Sequence, residues 1–198
     1  MLPSVDVHRH LLGVWHMMTG RREGIKLLDI SVDGFWNSFY AIIVALPVML
    51  AGWASLAVEL SPADSSAAGR FGLVLRMALV DLSAWILPLI GLALVANLIG
   101  IRDRFIHYVV ATNWGTALFA WFMLPTNLLR LFWPGGEDLA VTLALMIFLA
   151  SLVLSWRLTN SALAKGPAVA SGVFAAMLLA SMMVLFGFQD LLGVPPIQ

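Results

Sequence analysis

The sequence predicts an all-α, polytopic membrane protein. Five transmembrane helices follow an N-terminal amphipathic helix lying in the membrane interface. Three observations predict it. Of 198 residues, 61% are apolar and 11% charged, whereas a soluble domain is about a quarter charged. Five apolar stretches approach the roughly 20 residues that cross a bilayer core as helix. Basic residues also fall unevenly on alternate loops, as they do when a chain threads a membrane.

The same totals exclude other classes. A soluble globule of this length cannot hide so much apolar surface. The eleven Lys and Arg balance eleven Asp and Glu, so nothing marks a nucleic-acid binder. Without cysteine there is no disulfide, thiolate metal site or thiol nucleophile. His8 and His10 point about 200° apart on a helix and cannot share a metal with each other. No metal or cofactor is expected. The start lacks a basic n-region before its first apolar stretch, so it does not read as a signal peptide.

Residues 1–30 form the interfacial segment and its basic linker, and 31–198 the transmembrane domain. Within 4–19, Val7, Leu11, Val14, Trp15 and Met18 make one apolar helical stripe. Ser4 or Asp6 caps the helix, and Thr19-Gly20 ends it. The segment is too short and too charged to span. Its stripe suits a bilayer surface, where Arg21, Arg22 and Lys26 would meet anionic headgroups, with docking on a partner subunit as the alternative.

The spans are Phe35–Ala57, Phe71–Leu98, Ile106–Leu128, Leu139–Trp156 and Ala168–Phe188. Turn residues separate them: Leu60 to Ser66, Gly100 to Arg104, Trp133 to Asp138, and Thr159 to Pro167. With the N-terminus inside, Arg9, Arg21, Arg22, Lys26, Arg102, Arg104, Arg157 and Lys165 lie on the cytoplasmic side. Arg70, Arg76 and Arg130 lie outside. Trp36, Trp133 and Trp156 fall at span ends, where indole rings favour the interface. This orientation places the C-terminus outside and suits a bacterial inner membrane.

Ionisable residues inside spans default to a functional reading. Span two holds Arg76 and Asp81. Arg76 can snorkel, but Asp81, about 7–15 Å inside the outer boundary, must pair, protonate or face water. Arg130 is a candidate partner for it. On the inner half, Asn97 and Asn113 stand at comparable depth across a short loop and are candidates to hydrogen-bond. Arg76, Asp81, Asn97 and Asn113 together are the candidate intramembrane polar site. Pro47, Pro88 and Pro125 would each bend a span. Ala168, Gly172, Ala176 and Ala180 form a small-residue stripe for close helix packing, with Ala111 and Gly115 as a facing surface.

No phosphate loop, zinc-protease motif or nucleophile elbow is present, and no loop is long enough for a catalytic domain. The chain is therefore read as no enzyme. Its partners are the lipid bilayer and, as open alternatives, other membrane subunits or a homodimer.

Asp33-Gly34-Phe35-Trp36, at the start of span one, is similar to the acidic–Gly–aromatic start of the membrane domain in the Yip family of Rab-interacting five-span proteins. The architecture also resembles that family. The Tyr before the Gly, the Pro after it and the long cytosolic N-terminal domain are missing here. The Ala/Leu/Trp-rich style likewise resembles small inner-membrane proteins of high-GC bacteria. The Yip resemblance implies a role in membrane organisation without catalysis and carries over no functional residue. The leading expectation is thus a noncatalytic scaffold, accessory subunit or membrane-organising component. The alternative is a small transporter or channel with Asp81 as its proton or cation site.

Overall fold

The computed structural model describes residues 4–195 except 63, 65 and 134. The expected turn residues Ala63, Ser65 and Pro134 lie outside the described residues, as do Met1 to Pro3. The described chain is helical, without strands: α1 Ser4–Met18, a 3-10 turn Arg22–Leu27, α2 Val32–Asn37, α3 Tyr40–Leu60, α4 Ala67–Val95, α5 Phe105–Phe122, α6 Leu124–Phe132, α7 Glu137–Leu163 and α8 Pro167–Leu191.

Among the described residues, four helical stretches are long and apolar enough to cross a membrane: Val32–Leu60, Ala67–Val95, Asp138–Leu163 and Pro167–Leu191. Their outward faces carry Ile43, Leu79, Ile90, Leu149, Val153 and Met183, all well exposed. Apolar surface on this scale is stable only against lipid or a partner. Expected span three is not among these stretches. Its residues form α5 and α6, broken at Met123, with Pro125 in the first turn of α6. Proline lacks an amide proton but fits a helix start, where that proton has no partner anyway. It therefore opens a second helix here instead of bending one.

The break leaves α5 at the centre of the bundle. Val109, Val110, Ala111, Asn113, Trp114 and Ala117 are all essentially buried. This position explains the helix's lower hydropathy. A helix wrapped by other helices need not satisfy lipid, so His107, Thr112, Asn113 and Thr116 are tolerated.

The N-terminal helix departs from expectation in its surroundings. Val14, Met17 and Met18 are fully buried in one cluster with Ala41, Trp114 and Leu158, so α1 shares its core with the bundle. Val7 and Leu11 pack against that cluster, while Trp15 stays exposed. Most of the stripe thus docks on α5 and α7, and glycines make this possible. A side chain at Gly115 would meet Leu158 Cδ2 at 2.6 Å and Met18 Cε at 3.2 Å. The chain then doubles back so closely that a Cβ on Gly13 would meet the Gly24 carbonyl at 2.8 Å.

Helix α4 packs on α8 and α3. It approaches α5 through side chains near the α4–α5 turn, where Leu89, Leu92, Ile101, Tyr108 and Val109 share a cluster. A gap remains between α4 and α8 on one side and α5 and α7 on the other. Expected loop four is shorter than Thr159 to Pro167, because α7 continues to Leu163 and ends on left-handed Ala164.

Candidate functional site at Asp81

The gap is a partly open cavity of about 480 Å³. Five elements wall it: α3 through Met49, α4 through Asp81 and Trp85, α5, α7 and α8. Asp81 is the midpoint of α4, fourteen residues or about 21 Å of helix rise from its first residue. Trp53 donates its indole N–H to Asp81 Oδ2 at 2.7 Å. No other protein hydrogen bond reaches this carboxylate among the described residues.

Hydroxyls line the opposite wall in helical register. Ser151, Ser155 and Thr159 stand one turn apart on α7, and Thr112 and Thr116 one turn apart on α5. Thr112 and Ser151 donate to the carbonyls of Tyr108 and Phe148, each at one turn's reach (2.8 and 2.7 Å). Their oxygen lone pairs stay available as acceptors.

A hydrogen-bonded bridge runs from the α4 and α5 walls of the cavity to Ser38. Trp85 Nε1 donates to Asn113 Oδ1 at 3.0 Å, and Asn113 Nδ2 donates to Ser38 Oγ at 2.8 Å. Ser38 in turn donates to the Phe35 carbonyl at 2.7 Å. Asn113 and Ser38 are fully buried, and each side-chain donor in the bridge has an acceptor.

Beyond Ser38 lies a smaller pocket of about 50 Å³, lined by Asp6, His10, Asp29 and Asn37 among others. His10 is buried and stacks on Trp114, ring centroids 4.9 Å apart and planes 10° from parallel. The Asp29 amide donates to His10 Nε2 at 3.3 Å, while buried Nδ1 has no protein partner. Burial lowers the His10 pKa below the usual imidazole value, with help from Arg9. The neutral ring is the form that accepts the Asp29 amide. Two hydrogen bonds from Ser31, side chain and backbone, hold Asp29 below the usual carboxylate range.

The four expected site residues separate into two pairs. Asp81 and Asn113 line the same cavity. Arg76 and Asn97 are exposed and do not. Asn97 does not meet Asn113, whose amide is taken by Trp85 and Ser38. Arg130 pairs with Glu59 at 3.5 Å, not with Asp81. The stripe on α8 is also displaced from its expected contact. Ala168, Gly172 and Ala176 are exposed and Ala180 is half-buried, and a Cβ on Gly172 would meet nothing within 4 Å. Ala111 and Gly115 are buried elsewhere, Gly115 against α1 and α7. Helix α8 packs on α4 and α7, so its small-residue face points outward.

Sequence reasoning missed Trp53, Trp85, Ser38 and His10. A partial signal existed. Asp81 and Trp85 are one turn apart, and the α7 hydroxyls repeat every four residues. A polar stripe on an apolar helix marks the face that avoids lipid. Comparison of the chain with protein-family models, curated proteins and solved structures finds no match.

Proposed function

We propose that this protein is a small membrane transporter whose solute site is the cavity around Asp81, with that carboxylate as its proton or cation site. The observation carrying this reading is the joint placement of Asp81, Asn113 and the α7 hydroxyls around one cavity at mid-bundle. A site of a few hundred Å³, mostly apolar and with a few convergent polar groups, is the usual form of a small-molecule site. An ionisable group at such depth is expensive unless it is used.

In this reading α5 with α6 is a further span, the third in chain order, crossing beside α3 and α7. The N-terminus is cytoplasmic, the C-terminus is outside, and the membrane is a bacterial inner membrane. The basic residues of the α1 segment and of the turns after α4 and α7 support that orientation.

The test is solute-evoked current in proteoliposomes on a solid-supported membrane, across a panel of cationic, neutral and anionic solutes. A current in the native protein that Asp81→Asn abolishes, with the fold intact, is expected. No current above that of empty liposomes for any solute would remove the reading.

A noncatalytic scaffold or accessory subunit, with the membrane-organising role that the Yip resemblance implies, is the second reading. The outward small-residue face of α8 favours it. Cross-linking through Gly172→Cys in intact membranes tests it, since the native chain has no thiol.

A further inference from the structure

We infer that the cavity takes an organic monocation with an aromatic or apolar body, bound by Asp81 through charge and by the surrounding rings through their faces. This rests on the cavity being a solute site and adds the chemical class of the solute.

Charge comes first. Among the described residues, Asp81 is the charged side chain in the wall, and no lysine, arginine or histidine lines it. A carboxylate in a largely apolar enclosure with a single indole donor lacks a countercharge. An anionic solute would meet repulsion with nothing to offset it. A neutral solute would leave the carboxylate uncompensated or oblige it to take up a proton. A cation supplies what the wall lacks.

The remaining wall selects the body of that cation. Trp85, Tyr108, Phe119, Phe148 and Phe174 bring five aromatic rings to the cavity. Ring faces attract cations, most strongly when water is excluded, and bury apolar groups equally well. Met123 and Met177 add polarizable, adaptable contact. A bare metal ion needs several oxygen ligands converging on one point. Here the hydroxyls are strung along two helices, Ser151 to Thr159 and Thr112 to Thr116, around a space far larger than an ion. The volume suits an organic cation of drug-like size.

Two isosteres isolate the charge: N-methyl-4-phenylpyridinium, a cation, and 4-methylbiphenyl, its neutral carbon analogue. The Cys-free chain supplies a clean reporter. Ser151→Cys, placed in the wall, is modified in nanodiscs by neutral methyl methanethiosulfonate, and the rate is followed with and without each compound. The expected result is at least tenfold slowing by the cation, little slowing by the neutral analogue, and loss of the cation's protection in Ser151→Cys/Asp81→Asn. Equal protection by both compounds, unaffected by Asp81→Asn, would overturn the cation class while leaving a small-molecule cavity in place. Protection by neither compound would also overturn it. Reaction of Ser151→Cys only after denaturation would remove the accessible cavity and the transporter reading with it. Should Asp81→Asn fail to fold, the cation-to-neutral comparison in the single variant still decides.

Discussion

Trp53 and Asp81, on α3 and α4, are joined by an indole N–H to carboxylate hydrogen bond of 2.7 Å. Trp53 is buried, so its donor has no solvent to fall back on. Asp81→Asn keeps an acceptor oxygen for the indole and is expected to fold with near-native stability. Trp53→Phe removes the donor and is expected to cost about 1–3 kcal/mol. Thermal unfolding in detergent checks both. Equal loss in Trp53→Phe and in Trp53→Phe/Asp81→Asn would show that the carboxylate charge itself adds nothing to the pair.

The Asn113 bridge predicts a different asymmetry. Asn113→Ala leaves half-buried Trp85 without its acceptor and fully buried Ser38 without its donor at once. A loss of about 1–3 kcal/mol is expected from the unmet buried group alone. Asn97→Ala, on an exposed residue, should change stability by no more than about 0.5 kcal/mol. A similar cost at both positions would contradict the buried bridge.

Gly115 is a close approach of α5 to both α7 and α1. Gly115→Val would drive a branched side chain into Leu158, Met18 and Val14. Overpacking of about 1–3 kcal/mol is expected, concentrated on α1 docking. Limited proteolysis near Arg21 and Arg22 reads it, because an undocked α1 exposes the following segment. Unchanged cleavage would show that α1 does not depend on this contact.

His10 predicts acid sensitivity of the same docking. Its folded pKa lies below the unfolded value of about 6.5, because burial disfavours the charged ring. Below that value the unfolded chain binds more protons than the folded one. Stability is therefore full above about pH 6.5 and falls as pH drops toward the folded pKa. Arg9 opposes protonation while Asp6 and Asp29 favour it. His10→Gln should remove this component of the pH profile, measured as Tm between pH 7.5 and 5. An unchanged profile would mean that His10 does not titrate on unfolding in this range.

Topology has a direct readout in single cysteines. Glu23→Cys and Asp64→Cys lie at exposed positions after α1 and between α3 and α4. Membrane-impermeant maleimide is expected to label Asp64→Cys from outside and Glu23→Cys only after permeabilisation. Labelling of both from one side would overturn the proposed orientation.

What the sequence determined by itself was the class and the helices. Hydropathy and turn residues located the apolar stretches of α3, α4, α7 and α8 to within a few residues, except that α7 runs several residues past its expected end at Trp156. Burial in lipid is a property of each segment alone, so composition along the segment is enough. Asp81 was legible for the same reason, since a carboxylate on an apolar helix stands out without knowledge of neighbours. Which helix faces which was decided only by the tertiary structure. Two antiparallel helices joined by a short turn were expected to bring Asn97 to Asn113. Asn113 does meet the first of them, but through Trp85 and not Asn97, and it also meets Ser38, 75 residues away, while the backbone of α4 packs closest on α8. The apolar stripe of α1 fits a bilayer surface and a bundle face equally well, since both bury a single helical side. The missing side chain at Gly115 lets the bundle take it, and those at Gly13 and Gly24 let the following segment fold back on it. The cavity is likewise invisible along the chain, because an empty volume is a relation among five helices and no one of them encodes it.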